Sequence, residues 1–311
     1  MTQTLAQLSE QFTIPASEKS PARTPAKVSF KAGQGGLPCI HINTAHAIAT
    51  IYLHGAHVTS FQPKGASSVL FMSEKSWYEA NKPIRGGVPV CFPWFGPKAD
   101  DAKAPAHGFA RLKQWTLASV DEQADGSIVL LLTLRDDEST RALWPYSFEL
   151  GHRITVGSSL TMSLEMRNTG LTDFQFEEAL HTYFTVGDIH RVKVLGLENS
   201  SYVDKVAGGT HNQGRNAVEF TGETDRVYDS QADTVIDDPS MGRRILVSKR
   251  QSQSTVVWNP WINKSKAMPD FGDEEWPGMV CVETANVKER AVYLMPGDRH
   301  AMSVTISLQP R

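Results

Sequence analysis

Cysteine is scarce in this sequence: there are three in 311 residues, and Cys39, Cys91 and Cys281 lie far apart. They suit neither a disulfide framework nor a Cys-x-x-Cys metal motif, which favours a reducing, cytoplasmic location. No window approaches the roughly 18 continuous apolar residues of a membrane-spanning helix. The first residues carry no apolar core flanked by basic residues, so a secretory signal is not expected.

An excess of one charge is also missing, because 31 Lys and Arg residues stand against 34 Asp and Glu residues. Without a basic excess the chain lacks the electrostatic affinity that nucleic acids and anionic membranes require. No Gly-x-Gly-x-x-Gly or P-loop pattern follows a strand, which argues against a nucleotide site. We therefore expect no cofactor, no nucleic-acid partner and no membrane, and we expect any anionic ligand to be held by a few local cations.

Short apolar alternations separated by turn residues fill the chain from Val28 onward. Their β-branched and aromatic content predicts an antiparallel all-β architecture. The predicted strands cover 39–45, 47–53, 56–62, 127–135, 148–156, 159–168, 174–188, 225–229, 243–248, 254–259, 279–285 and 300–309. Short helices are predicted over 4–12 and 73–81. So many strands favour one large β-sandwich domain over residues 26–311, after a flexible N-terminal tail of residues 1–25.

The most irregular stretch is residues 85–111, RGGVPVCFPWFGPKADDAKAPAHGFAR. Its glycines and prolines forbid a regular ladder, and its aromatic side chains need a surface to pack on. Arg85 and Arg111 stand at its ends with His107 between them. The stretch can therefore frame an anionic or hydroxylated ligand through guanidinium contacts. The alternative is a surface loop whose aromatic residues cover a sheet edge.

A histidine lies in the middle of the strand-like run FQFEEALHTYFTVGD, residues 174–188. At period two, His181 shares a polar face with Glu177 and Tyr183. Among the carboxylates that could act with it, Glu283 is unusual because it lies within the apolar strand MVCVETA. Desolvation there raises a carboxyl pKa toward that of a base. The alternatives are a histidine with one structural hydrogen bond and an edge-strand glutamate that points to water.

Three further features of the sequence can be explained without assigning them a function. Asp225 follows a glycine-containing turn, where turn chemistry explains an aspartate. The aromatic pair of WNPW, residues 258–261, suits stacking on a sugar face and core packing equally. His54 and His57 are close in sequence, but no third ligand accompanies them, so no metal site is predicted.

Six motifs together resemble the aldose 1-epimerase-like family, and within it the hexose-6-phosphate mutarotases. They are RGGVPVCFPWFG (85–96), HGFAR (107–111), EALHTYF (178–184), TDRVY (224–228), WNP (258–260) and CVET (281–284). The motifs occur in order, and with their flanking strands the resemblance covers nearly all of the chain after the tail. It implies a galactose mutarotase-like supersandwich and interconversion of the α and β anomers of hexose 6-phosphates, with glucose 6-phosphate as an expected substrate.

Carried over position by position, the resemblance implies two catalytic residues, the acid His181 and the base Glu283. It implies four substrate-contacting residues, namely Arg85, His107, Arg111 and Asp225. One departure is Ala106, where phosphate-specific relatives tend to have glutamine. The roles of Lys264 and Lys266, which follow WNPW, stay open.

The chemistry fits these residue types. Opening a cyclic hemiacetal takes a proton from the O1 hydroxyl and gives one to the ring O5, which a carboxylate and an imidazole can do without a metal. Rotation about C1–C2 of the open aldehyde and closure then give the other anomer. The alternatives are an aldose 1-epimerase for unphosphorylated sugars, which has no need of two guanidinium groups, and a non-catalytic carbohydrate-binding protein. A one-domain enzyme with its own cleft is expected to be a monomer.

Overall fold

The computed structural model describes residues 3–12 and 27–311. The α-helices are α1 (Leu5–Gln11), α2 (Glu138–Arg141) and α3 (Trp261–Ala267), and the 3-10 helices are Gln34–Gly36, Ala110–Leu112, Ile189–Arg191, Trp276–Gly278 and Lys288–Arg290. The strands are β1 (Lys27–Ala32), β2 (Pro38–Asn43), β3 (Ala47–Tyr52), β4 (His57–Pro63), β5 (Val90–Cys91), β6 (Thr116–Glu122), β7 (Ile128–Arg135), β8 (Phe148–Val156), β9 (Leu160–Asn168), β10 (Phe174–Phe176), β11 (Glu178–Leu180), β12 (Tyr183–Thr185), β13 (Lys193–Leu195), β14 (Ser201–Asp204), β15 (Thr210–Asn212), β16 (Thr224–Asp229), β17 (Thr234–Asp238), β18 (Arg243–Arg250), β19 (Ser254–Asn259), β20 (Met279–Asn286), β21 (Val292–Leu294) and β22 (Arg299–Pro310).

These strands form two large sheets and two small ones. The first eight-stranded sheet, here called the site sheet, has the order β15-β14-β16-β19-β20-β11-β5, and β12 also pairs with β20. The second, here called the back sheet, has the order β13-β17-β18-β22-β9-β8-β7-β6. Strands β1 to β4 form a four-stranded sheet, and β10 pairs with β21. All strand pairings in the described residues are antiparallel.

The two large sheets share one apolar core. In β9 the burial pattern alternates, so that Leu160, Met162 and Leu164 are fully covered while the residues between them are partly open. These side chains belong to the same cluster as Phe184 and Val282 of the site sheet. Each such side chain contributes about 1.5–3 kcal/mol when it is buried. The predicted all-β antiparallel sandwich is confirmed, and each predicted strand region contains at least one observed strand.

The helix predicted over residues 73–81 is wrong, because these residues form turns and irregular backbone. Ser73 does not begin a helix. Its hydroxyl donates to Glu275 Oε2 at 2.6 Å and accepts from the Gly272 N–H at 3.1 Å. The polar groups of this segment therefore find their partners in a distant loop rather than in a local helix.

The helix predicted over residues 4–12 is confirmed as α1. Thr4 and Gln7 form a capping box at its start, and Leu8 is buried in the core with 1% of its surface exposed. The side chain of Gln3 also pairs with the backbone of Leu117. The remainder of the predicted tail, residues 1–2 and 13–25, lies outside the described residues. No helix in the described part of the chain is long and apolar enough to cross a membrane.

Candidate active site

His181 and Glu283 face each other on neighbouring strands of the site sheet. Strands β11 and β12 are separated by residues 181–182, yet both pair with β20 in one continuous register. That register places His181 opposite Glu283, and opposite residues of an antiparallel pair project from the same face. The side chains accordingly meet, with His181 Nε2 3.3 Å from Glu283 Oε1.

Neighbouring groups hold the His181 ring in one orientation. The imidazole stacks on the Tyr183 ring at a centroid distance of 4.9 Å and an interplanar angle of 11°, and Trp258 meets it edge-on. The His181 backbone N–H donates to the Pro89 carbonyl at 3.0 Å. The Tyr183 hydroxyl in turn accepts a hydrogen bond from the Arg85 guanidinium at 2.9 Å.

Burial dominates the protonation of this pair. Desolvation, followed by the positive charges of Arg111 and Arg85, lowers the pKa of His181 well below its usual value. Desolvation and the carboxylate of Asp225 raise the pKa of Glu283 well above its usual value. Both shifts favour the neutral forms, so the resting pair keeps one transferable proton on Glu283. In the part of the chain that the structure describes, His181 Nδ1 and Glu283 Oε2 are buried and have no hydrogen-bond partner.

The structure brings all six predicted site residues to one cavity of about 280 Å³. These residues come from five separate parts of the chain and are Arg85, His107, Arg111, His181, Asp225 and Glu283. Residues 85–111 do not merely cover a sheet edge. Phe92, Phe95 and Phe109 in this stretch are all at least 97% buried, and Phe95 lines the cavity.

Arg85 is neutralised by a carboxylate that the sequence did not single out. Asp270 accepts hydrogen bonds from Arg85 Nε at 3.1 Å and from its terminal nitrogen at 3.3 Å, and 4% of the Asp270 side chain is exposed. The segment PDFGDEEWPG contains four acidic residues, and nothing in its pattern distinguishes Asp270 from the others. Arg85 is therefore a paired cation whose contacts also position Tyr183.

Arg111 is a buried cation without a counter-ion. One terminal nitrogen donates to the Ala106 carbonyl at 2.7 Å, while Nε is buried without a partner. No carboxylate in residues 3–12 and 27–311 lies within 4.0 Å of its nitrogens. A guanidinium stays charged in proteins, so Arg111 brings an uncompensated positive charge to the cavity.

His107 is held with its Nε2–H available to the cavity. Its Nδ1 accepts from the Gly96 N–H at 3.3 Å and lies 3.5 Å from the Cys91 sulfur, so the ring proton resides on Nε2. Burial lowers the pKa of His107 well below its usual value, which keeps the ring neutral. Its backbone is left-handed with φ 62°, and at the following Gly108 a Cβ would lie 1.9 Å from the Phe92 carbonyl oxygen.

Two lysines complete the cavity wall. Lys205 pairs with Asp225 at 3.2 Å, and Lys264 pairs with Glu223 at 3.2 Å. Lys205 had no signal in the sequence, because it follows a short strand that is mostly exposed. Lys266 does not line the cavity and lies 3.8 Å from a carboxylate of the loop after α3.

His54 and His57 have structural partners. His54 Nε2 hydrogen-bonds with the Lys82 carbonyl and His57 Nε2 with the Gly86 carbonyl, both at 2.8 Å. The first contact fixes the backbone just before residues 85–111, and the second fixes it at the start of that stretch. The described residues contain no group of three or more His, Cys, Asp or Glu side chains arranged to hold a metal ion.

Comparison with known proteins gives a consistent picture. The family model for aldose 1-epimerase matches residues 38–307. A protein of Escherichia coli K12, provisionally named a glucose-6-phosphate 1-epimerase, is 40% identical over 255 residues, which cover 81% of this chain and 84% of that protein. A relative with the same provisional name from Cenchrus ciliaris is 36% identical over 274 residues, which cover 84% of this chain and 82% of that protein.

Solved structures agree with this comparison. A structure from Salmonella typhimurium, provisionally named a mutarotase, has a TM-score of 0.85 and 34% identity, and covers 91% of this chain and 94% of that one. A galactose mutarotase-like protein from Clostridium acetobutylicum has a TM-score of 0.74 at 14% identity, covers 92% of this chain and 99% of that one, and supports the fold alone.

Proposed function

Because the chain belongs to the aldose 1-epimerase family, we propose that it interconverts the α and β anomers of hexose 6-phosphates, with glucose 6-phosphate as a substrate. The proposal takes the acid–base pair His181 and Glu283 as the catalytic groups. The observation that supports a phosphate on the substrate is Arg111, a buried guanidinium in the cavity that meets no carboxylate of the described residues within 4.0 Å.

The catalytic step conserves protons. The resting pair holds one transferable proton, and its transfer from Glu283 to His181 gives the carboxylate base and the imidazolium acid without exchange with solvent. Glu283 then removes the proton from O1 of the sugar while His181 protonates the ring O5, and the C1–O5 bond breaks to give the aldehyde. After rotation about C1–C2, the two residues act in reverse and the ring closes to the other anomer.

The cavity charges support a dianionic group on the substrate. Four cations of the described residues line the cavity, and three of them, Arg85, Lys205 and Lys264, each have a carboxylate within 3.2 Å. Arg111 does not, and a guanidinium can meet a phosphate with two parallel hydrogen bonds. A neutral sugar would leave this charge buried and uncompensated, which disfavours the alternative of an epimerase for unphosphorylated aldoses.

The remaining contacts suit the sugar ring. Neutral His107 can donate its Nε2–H to a hydroxyl, and Asp225 can accept from one or two hydroxyls. Trp258 stands opposite Asp225 in the pairing of β19 with β16 and offers an aromatic face at the cavity wall. The carbohydrate-binding role of the cavity thus rests on His107, Asp225 and Trp258.

A single chain supplies all of these groups, which supports a monomeric enzyme with one catalytic domain over residues 26–311. The core cluster that joins both large sheets also includes residues of β1 to β4, which is expected of one domain. The three cysteines are free, in keeping with a cytoplasmic, reducing environment.

The test is the rate at which freshly dissolved α-D-glucose 6-phosphate reaches anomeric equilibrium with and without the protein, followed by polarimetry or NMR. α-D-Glucose and α-D-galactose serve as matched neutral sugars. We expect acceleration confined to the phosphorylated sugar. Equal acceleration of all three sugars would move the assignment to a general aldose 1-epimerase, and no acceleration of any would leave a carbohydrate-binding protein.

A further inference from the structure

Lys205 enters the cavity because of its place in the site sheet. It directly follows β14, and its backbone N–H donates to the Asp225 carbonyl at 2.8 Å. This bond extends the antiparallel pairing of β14 with β16 by one residue, beyond the pair Asp204 and Arg226. Residues opposite each other in such a pairing share a face, so Lys205 and Asp225 both line the cavity.

Two contacts fix the ammonium group there. Lys205 Nζ lies 3.2 Å from Asp225 Oδ2 and 5.4 Å from the centroid of the Phe95 ring. The Phe95 segment is itself held, since its backbone N–H donates to Glu177 Oε2 at 2.7 Å. A third of the Lys205 side chain and 14% of the Asp225 side chain are exposed, so the pair is only partly screened by solvent.

The two charges act on Glu283 in opposite directions. The negative charge of Asp225 raises the pKa of Glu283, and the positive charge of Lys205 lowers it. Two carboxylates in one small cavity disfavour each other's ionisation, and a cation beside one of them reduces the penalty on the other. Without Lys205, the sugar-binding carboxylate would therefore work against the base.

We propose that Lys205 is a positioning residue for ring opening: its ammonium holds Asp225 toward the sugar hydroxyls and cancels the field of that carboxylate at Glu283. The inference rests on the proposed function, since it assigns Asp225 to the substrate and Glu283 to proton removal. Lys205 itself exchanges no proton with the sugar.

The first experiment measures kcat and KM for anomerisation of glucose 6-phosphate from pH 5 to 9 in Lys205→Met, with Lys205→Arg as the charge-conserving variant. We expect kcat/KM of Lys205→Met to fall about tenfold at neutral pH, because transfer of the proton from Glu283 to His181 becomes less favourable. The alkaline limb, where Glu283 loses the transferable proton, should move up by about one pH unit, the lower end of what a neighbouring charge does. Lys205→Arg should keep the limb of the wild type. Lys266→Met, at a lysine outside the cavity, is the matched control and should change neither quantity.

A second experiment does not depend on turnover. ¹³C NMR of the Glu283 carboxyl, assigned through Glu283→Gln, should show a pKa higher by about one unit in Lys205→Met than in the wild type. An unchanged titration overturns the inference. Absence of anomerase activity in the wild type would instead refute the proposed function while the titration still decides the role of Lys205.

A double-mutant cycle tests whether Lys205 acts through Asp225. In the Asp225→Asn background, Lys205→Met should return the pKa of Glu283 toward that of the wild type and cost less than threefold in kcat/KM. The two opposing charges are then both absent, and no carboxylate is left for Lys205 to hold. Fully additive losses overturn the proposal. A rise in KM confined to the phosphorylated sugar, with the alkaline limb unmoved, would also overturn it and make Lys205 a phosphate contact.

Discussion

Replacing Arg111 with methionine should reduce activity on the phosphorylated sugar without weakening the fold. Methionine keeps much of the length of the side chain and removes the charge. Within residues 3–12 and 27–311, the Arg111 side chain makes one hydrogen bond, to the Ala106 carbonyl, and its Nε is buried without a partner. A buried unsatisfied donor costs about 1–3 kcal/mol, and the variant no longer has it. We expect the free energy of unfolding to stay unchanged or to rise by about 1 kcal/mol.

The loss of activity follows from the contacts that Arg111 offers to a phosphate. Two charge-assisted hydrogen bonds at about 1.5–3 kcal/mol each give roughly 3–6 kcal/mol. At about 1.4 kcal/mol for each factor of ten, kcat/KM for glucose 6-phosphate should fall by roughly 10²–10⁴-fold. Any residual activity on glucose should change by less than about threefold, because a neutral sugar has no dianion for Arg111 to hold.

The assay is the NMR-monitored exchange of α and β anomers for both sugars, together with chemical denaturation of each variant. Arg243→Met is the matched control. Arg243 is also a buried arginine whose Nε has no partner among the described residues, but its terminal nitrogens donate to three backbone carbonyls, those of Ser67, Ser68 and Thr185, and it does not line the cavity. That variant should lose stability and keep its preference for the phosphorylated sugar. An Arg111→Met protein that keeps this preference, or that is less stable than Arg243→Met, would refute the reasoning.

Three further outcomes are expected. His181→Ala and Glu283→Gln should each lose roughly 10²–10⁴-fold in kcat while staying folded by circular dichroism; near-normal turnover in both variants would exclude the assigned mechanism. Arg85→Met should have a free energy of unfolding lower by about 3–5 kcal/mol, because the buried carboxylate of Asp270 loses its counter-ion. An unchanged denaturation midpoint would contradict this. Burial lowers the pKa of His57 to about 3 and of His152 to about 4, so the unfolded chain takes up protons below about pH 6.5 that the native protein refuses. These two histidines should therefore lower the free energy of unfolding by roughly 4 kcal/mol between pH 7 and 5, and the buried neutral His107 and His181 add to the fall. Urea titrations at the two pH values can check this, and a flat profile would contradict it.

The strands could be predicted from two signals. Strands covered mainly on one face, such as β8, show a period close to two, and strands buried throughout, such as β19, are rich in β-branched and aromatic residues. The predicted bounds of β8 and β19 agree with the structure at both ends. The helix expected over residues 73–81 failed for a physical reason that local sequence does not contain. The partner of Ser73 lies 202 residues away, and that contact replaces the helix.

The acidic and basic members of the site were recognisable for a similar reason. Glu283 is a carboxylate within an apolar strand, and His181 is an imidazole in the middle of a strand-like run, so both stand out in the sequence. Arg85 and Arg111 look alike in sequence, and only their surroundings distinguish the paired cation from the unpaired one. Lys205 was missed because the sequence shows that it is charged but not which strand it pairs with. Its pairing opposite Asp225 is what directs its side chain into the cavity.

The shared register of β11, β12 and β20 has a consequence for how this protein can evolve. Side chains alternate between the faces of a strand, so inserting or deleting one residue between Glu178 and His181 would turn His181 from the cavity into the core. Homologous chains can therefore vary the identity of residues on these strands but not their number. Length variation should instead accumulate in exposed connections such as residues 206–209.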